Sequence, residues 1–246
     1  MPALTVLEDS FSDDPAFDVA VSRAVMFRVA RRELPETVRI ARPAAVIAFA
    51  KRDALAPGYA RAVQAAEAEG FGAVLRLAGG RAAVFHEGTL EVAHAAAATE
   101  PRAGIHERFK AEATLMCRAL ERLGVDARVG EVAGEYCPGR WSVNAAGARK
   151  LVGIGQRVVA GGSHTGSVIV VEDGDRVRRV LGPVYSALSL GWDPETVGAV
   201  DEEAPGATWA TVRDALLAEY GARYELVSGS LDDETLALAR DLAPEH

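Results

Sequence analysis

Cys137 is the residue whose type and setting best suit a nucleophile. It lies in Gly134-Glu-Tyr-Cys-Pro-Gly-Arg-Trp-Ser-Val-Asn144, where Gly134, Pro138 and Gly139 exclude a helix interior and predict a loop. A loop thiol among polar groups can lie near a cation that favours the thiolate. Read alone, the same loop also suits a partly buried, inert thiol. The second cysteine, Cys117, follows Leu115 and Met116 in a helical pattern and reads as a small packed hydrophobe. Lys150 is the matching cation, the one lysine beyond Lys110. A strand lysine is usually a solvated edge charge. Its compact ammonium can instead aim at a thiolate or at an oxyanion developing in a tetrahedral intermediate.

Two glycine-bearing strands flank these residues in sequence. Arg76-Leu-Ala-Gly-Gly-Arg-Ala-Ala-Val-Phe-His86 reads as strand, glycine pair and strand again, and Lys150-Leu-Val-Gly-Ile-Gly-Gln-Arg157 is a strand holding Gly153 and Gly155. Glycine inside a strand marks a bulge or a close approach of a ligand to the backbone. Alone, Gly79-Gly80-Arg81 would be a turn. The paired segments predict a site for an extended ligand with an anionic or polar head. Backbone N–H groups at Gly79 and Gly80 would hold the head, with Arg76 and Arg81 as the nearest charges. His86 and His164 are each either a base or, with more weight, a loop-fixing hydrogen-bond partner. His94, amid Val and Ala, reads as a core histidine.

The elements that must position these groups follow from patterning. Asp14-Pro15 opens a helix running to Arg32. A strand is expected at Val46–Phe49, a helix over 57–69 stopped by Gly70, and a strand over 73–77. Thr89 to Ala96 fits a strand or a short helix. Ile105 to Leu123 carries the clearest helical stripe, stopped by Gly124. A short strand over 125–129 precedes a hairpin of 149–159 with 165–172. Two helices, over 209–220 and 231–242, close the chain. The expectation is an α+β fold: a mixed, largely antiparallel sheet flanked by helices, with residues 1–182 as the catalytic domain and 183–246 as a small helical C-terminal extension packed on it.

The 246 residues carry a net charge of −8, which argues against non-specific nucleic-acid binding and against docking on an anionic membrane. No apolar run is long enough to span a bilayer, the N-terminus lacks a signal-peptide pattern, and two cysteines make no disulfide framework. A cytoplasmic location is the expectation.

Arg76, Gly79, Gly80, Arg81, Ala82 and His86, with Lys150, Gly153, Gly155 and Gln156 and then His164, Gly166, Ser167, Val168 and Ile169, resemble the motifs of lipoate-protein ligases and octanoyl/lipoyl transferases, which share a fold with biotin ligases. The resemblance runs from about Asp14 to Val171. This chain departs from the pattern at Ala78, where Ser or Thr is usual, in one extra residue before His86, and at Glu87, where Asp is usual. The resemblance implies an apolar acyl tunnel with residues such as Leu77, Val84 and Ile154 in its wall. Cys137, thirteen residues before Lys150, sits close to where one transferase branch keeps its acyl-carrying cysteine. That implies transfer of an octanoyl or lipoyl group from a donor such as acyl carrier protein, through a Cys137 thioester, to a lysine on a lipoyl carrier domain of a 2-oxoacid dehydrogenase or glycine-cleavage protein, with no cofactor. The ligase branch implies instead ATP, Mg²⁺ and an acyl-adenylate facing Lys150. A third reading is a non-catalytic acyl- or carrier-binding protein.

Overall fold

Helical stripes and strand alternation sort this chain into two sheets with helices laid over them. The computed structural model describes residues 1–246. In chain order the elements are β1 (Ala3–Leu7), α1 (Pro15–Ala30), β2 (Thr37–Ala41), β3 (Val46–Phe49), α2 (Lys51–Ala54), α3 (Tyr59–Ala68), β4 (Gly72–Leu75), β5 (Ala83–Phe85), β6 (Thr89–Ala97), α4 (Ile105–Glu121), β7 (Ala127–Val129), β8 (Val143–Ala145), β9 (Arg149–Val159), β10 (Gly162–Val170), α5 (Gly174–Ala187), α6 (Val200–Glu203), α7 (Trp209–Gly221), β11 (Glu225–Ser228) and α8 (Asp233–Leu242). The large sheet has the order β11-β1-β2-β6-β10-β9-β8-β7, and β4-β3-β5 form a small one. β1 runs parallel to β2 and β11, and β3 runs parallel to β4; the other pairings are antiparallel. This is the mixed, largely antiparallel α+β fold expected.

Local chemistry explains the elements. The Asp14 side chain accepts the Phe17 N–H at 3.1 Å and Pro15 opens α1. α4 buries Ala113, Met116, Ala119 and Leu120 against the large sheet, and Gly124 stops it at φ +90°. Residues 89–97 form a strand, β6, at the centre of the large sheet. Its Leu90 and Val92 enter the main core, while Ala93 and Ala95 lie on the opposite face, which α1 covers. A strand buried on both faces loses its polar alternation, so its period was silent in sequence.

Four elements stand out as departures from expectation. β1, β2 and β11 were not foreseen, and neither was α5, whose Val177, Val180, Leu181, Val184 and Tyr185 form a buried stripe. Gly182 and Pro183 sit inside that helix and disguise it as a break. The boundary expected at residue 182 falls within α5. Residues beyond it form the foreseen helices, but they also add β11 to the sheet edge and send Val200, Val212, Leu216 and Tyr220 into the main core. No helix is long and apolar enough to cross a membrane.

His94, expected in the core, is only partly exposed, its side chain at 14%, and it is also ion-paired. It meets Glu36 at 2.9 Å and lies 4.0 Å from Glu112, which also accepts hydrogen bonds from Tyr220 and Ser167. Burial would lower its pKa, yet the bonds to Glu112 and Glu36 outweigh that and push it up to about 9. A folded-state pKa above the unfolded value of about 6.5 means the pair stabilises fully below that pH. Its contribution is then lost as pH rises through about 9. Denaturant titrations from pH 6 to 9.5 should show wild type losing stability relative to His94→Gln across that window; parallel curves would contradict the pairing.

Candidate active site

A cavity of about 530 Å³ opens between the two sheets. Its floor is the face of the large sheet presenting Gly153 and Gly155 from β9, Gly166 and Val168 from β10, and Glu91 from β6. The missing side chains leave room above the sheet. α1 contributes Val19 and Ser22 to one wall, and the small sheet contributes Val46, Ala48, Val74, Ala83 and Phe85. Gly155 also makes room for the 76–80 loop, since a Cβ there would come within 2.8 Å of the Ala78 methyl.

Cys137 sits at this cavity in a left-handed backbone conformation, φ +42°, uncommon for a non-glycine residue. Hydrogen bonds hold it there. Its N–H donates to the Tyr185 hydroxyl at 2.9 Å, and that hydroxyl donates to the Ala82 carbonyl at 2.9 Å. One phenol from α5 therefore ties the thiol loop to the strand leaving the glycine loop. The Cys137 Sγ accepts the Arg81 backbone N–H at 3.2 Å and lies 3.7 Å from the Arg76 guanidinium. Arg76 is itself fixed to the Gly79 carbonyl. Gly80, at φ +118°, allows this approach. A Cβ there would lie 2.9 Å from the sulfur and overlap the Arg76 guanidinium.

Lys150 lies beneath the thiol loop, only 1% exposed. Its ammonium donates to the Tyr136 carbonyl at 3.0 Å, the Cys137 carbonyl at 2.9 Å and Glu135 Oε1 at 3.1 Å, and it lies 4.8 Å from the centre of the Tyr136 ring. Three hydrogens meet three acceptors. The residue is therefore no edge charge, and it braces the loop that holds the sulfur. Glu135 completes the brace. It also accepts the N–H groups of Val132 and Gly139 and the Ser142 hydroxyl.

The electrostatics favour a thiolate. Burial pushes the Cys137 thiol up, but the Arg76 guanidinium, the Lys150 ammonium and the Arg81 N–H together hold it below the ordinary thiol value. Cys117 is the contrast. Burial, followed by the Glu121 carboxylate, pushes it up to about 11. Its thiol faces Glu121 and the Ala127 carbonyl, away from the cavity.

The other expected residues divide. Arg76, Gly79, Gly80, Gly153, Gly155 and His164 line the cavity. His164 is buried, its Nδ1 meets no partner, and burial followed by the His94 charge lowers its pKa to about 4, so it is neutral near pH 7. Arg81 reaches the sulfur only through its backbone, because its guanidinium pairs with buried Asp53 at 3.0 Å. His86 lies outside the cavity lining and accepts the Gly88 N–H at 3.1 Å, which fixes the β5–β6 turn. Of the three wall residues expected, Leu77 and Ile154 line the cavity. Val84 points into the second core, since strand alternation gives the cavity Ala83 and Phe85 instead. Sequence reasoning missed Glu135, Tyr185 and Glu91. An acid two residues before the thiol, matched with the lone lysine, was the available sign of the first. Tyr185 was hidden with its helix.

The lipoyl protein ligase A/B catalytic domain model matches residues 14–221. Similar curated proteins include the octanoyl-GcvH:protein N-octanoyltransferase of Geobacillus kaustophilus, 29% identical over 155 residues that cover 63% of this chain and 52% of the relative. That of Exiguobacterium sibiricum is 31% identical over 189 residues, 71% of this chain and 66% of the relative. The chain thus aligns with about half to two thirds of these relatives' length. Among solved structures, that of the bi-partite lipoate protein ligase and its E2 lipoyl domain from Thermoplasma acidophilum is similar at a TM-score of 0.74 and 18% identity, over 99% of this chain and 92% of the other. Lipoate-protein ligase A bound with ATP gives 0.73 and 18%, over 99% and 94%. These structures share the fold of this chain, and the match over residues 14–221 spans both sheets and the thiol loop: the chain belongs to the lipoyl protein ligase A/B catalytic domain family.

Proposed function

We propose that this protein is an acyltransferase that moves an octanoyl or lipoyl group through a thioester on Cys137 to a lysine of a lipoyl carrier domain. The observation that carries the reading is the setting of the Cys137 sulfur, held between the Arg81 N–H and the Arg76 guanidinium at a largely apolar cavity. In the first step the thiolate attacks the donor's acyl carbonyl. A C–S bond forms, the bond to the donor breaks, and the leaving group takes up a proton. In the second step the acceptor ε-amine attacks the thioester. The C–N bond forms, Sγ leaves as thiolate, and the amine proton passes to solvent. Both bonds exchanged are acyl bonds, so no ATP is needed.

The donor is either an acyl carrier protein thioester or an acylated carrier lysine. The names of the curated relatives place octanoyl-GcvH, or in Listeria monocytogenes lipoyl-GcvH, in the donor position, which supports the acylated carrier. In the ligase alternative the Lys150 ammonium would face the mixed anhydride. Its three hydrogens are already committed to Glu135, Tyr136 and Cys137, which favours the thiol route.

Three outcomes follow. Octanoylated donor plus acceptor carrier, without ATP, should give acylated acceptor, and Cys137→Ala should abolish it. Free octanoate with ATP and Mg²⁺ should give neither product nor pyrophosphate; pyrophosphate release that survives in Cys137→Ala would replace this reading with the ligase.

Iodoacetamide at pH 7 should label Cys137 faster than Cys117, because only the former has its thiolate favoured. Below the Cys137 pKa the rate should fall. Arg76→Met should move that fall to higher pH; an unmoved profile would show that the guanidinium does not set the acidity of the thiol.

Lys150→Ala should cost both turnover and stability. Breaking a buried ion pair by removing one partner typically costs about 3–5 kcal/mol, because the other charge stays buried. Lys150→Arg should rescue part of the stability and little of the rate, since a planar fork cannot meet three converging acceptors. Near-normal kcat in the alanine variant would show that the brace is dispensable.

A further inference from the structure

The cavity floor carries one carboxyl that the proposed chemistry does not use. Gly153 of β9 stands opposite Val168 of β10, and Val168 stands opposite Glu91 of β6. Residues directly opposite share a face, and these three all line the cavity. At the β9 end of this row, the Lys150 ammonium lies 4.0 Å from where a Gly153 Cβ would be. Neighbouring strands are about 4.8 Å apart, so Glu91 stands roughly 10 Å across the floor from the Lys150 end. With C–C bonds of about 1.5 Å, an extended chain advances ~1.3 Å per carbon, and eight carbons cover a similar distance.

Glu91 is the one carboxyl on the floor itself, and its polar neighbours are engaged elsewhere. Along its face of β6, Ala93, Ala95 and Ala97 are small and apolar, and the Thr89 hydroxyl is engaged with the His86 backbone. The nearby acid Asp18 is paired with Arg39, whose remaining contacts go to Ser22 and the Asp9 carbonyl. Each Arg39 nitrogen is thereby engaged with another group, and Arg39 makes no hydrogen bond to Glu91. Burial and then the Asp18 charge raise the Glu91 pKa above the usual carboxylate range, as expected of a carboxyl without a partner.

We infer that Glu91 is a specificity-determining residue that ends the acyl site at about eight carbons. A ninth and tenth methylene would press on a carboxyl, strip its remaining hydration and offer no hydrogen bond in return. Saturated chains of eight carbons stop short of that cost. The inference rests on the reading that Cys137 carries the acyl group.

The test is a competition between octanoyl and decanoyl donors of one class, read as the ratio of the two acyl-enzymes by intact mass. Wild type should load octanoyl in large excess. Glu91→Val, suited to a central strand, and Glu91→Ala should each raise the decanoyl share about tenfold or more, the worth of two buried methylenes. Glu91→Gln keeps bulk and polarity and should keep the octanoyl preference. If Glu91→Val or Glu91→Ala loads octanoyl but leaves the ratio at the wild-type value, the assignment of Glu91 fails while the thioester reading stands. If wild type forms no adduct with either donor, the thioester reading fails and this inference falls with it.

Discussion

The buried contact between Lys150 and Glu135 is the constraint from which the rest of the site follows. An ammonium and a carboxylate at 3.1 Å, both withdrawn from water, stabilise only if their remaining hydrogen-bonding capacity is met. The loop between β7 and β8 meets it. Glu135 gathers the N–H groups of Val132 and Gly139 and the Ser142 hydroxyl, while Lys150 gathers the carbonyls of Tyr136 and Cys137. A loop wrapped on this pair has little freedom left. Cys137 is consequently held at positive φ, with its sulfur turned toward the other sheet.

The second half of the site comes from that other sheet. The 76–82 loop leaves β4, crosses the floor at Gly155 and presents the Arg81 N–H to the sulfur. Tyr185 bonds both loops at once, so the packing of α5 against α3 and the small sheet also fixes the distance between thiol and glycine loop. Strand register does the remaining work. Gly155, Gly166 and Ala93 lie abreast on neighbouring strands, and their lack of bulk leaves the space that an acyl chain would fill.

Much of this was legible in sequence wherever one residue's chemistry or a local period carried the signal. The glycine pairs, the lone lysine, the loop cysteine and the α4 stripe were of that kind, as was the 149–159 strand. What escaped depended on contacts between segments distant in sequence. α5 hides behind Gly182-Pro183, and with it Tyr185. β1 and β11 are short strands recognisable only through partners distant in sequence, since β11 pairs with β1 and β1 also with β2. Arg81 lies beside the sulfur through its backbone N–H and not its charge, because buried Asp53 claims its guanidinium. His86 matched a motif yet serves a turn, and no local pattern distinguishes those roles. Glu91 was silent for a similar reason. Only the register of three strands puts it across the floor from Lys150.

The central question is whether the acyl group becomes bonded to the sulfur that this brace presents. The most direct measurement is to mix the wild-type protein with octanoylated donor in the absence of acceptor and ATP, quench in acid, digest, and sequence the modified peptide by mass spectrometry. The expected result is an octanoyl group on Cys137 that neutral hydroxylamine removes and that added acceptor carrier consumes. An octanoyl group found only on Cys117 or on a lysine, or acceptor acylation proceeding with Cys137 never modified, would contradict the thioester route.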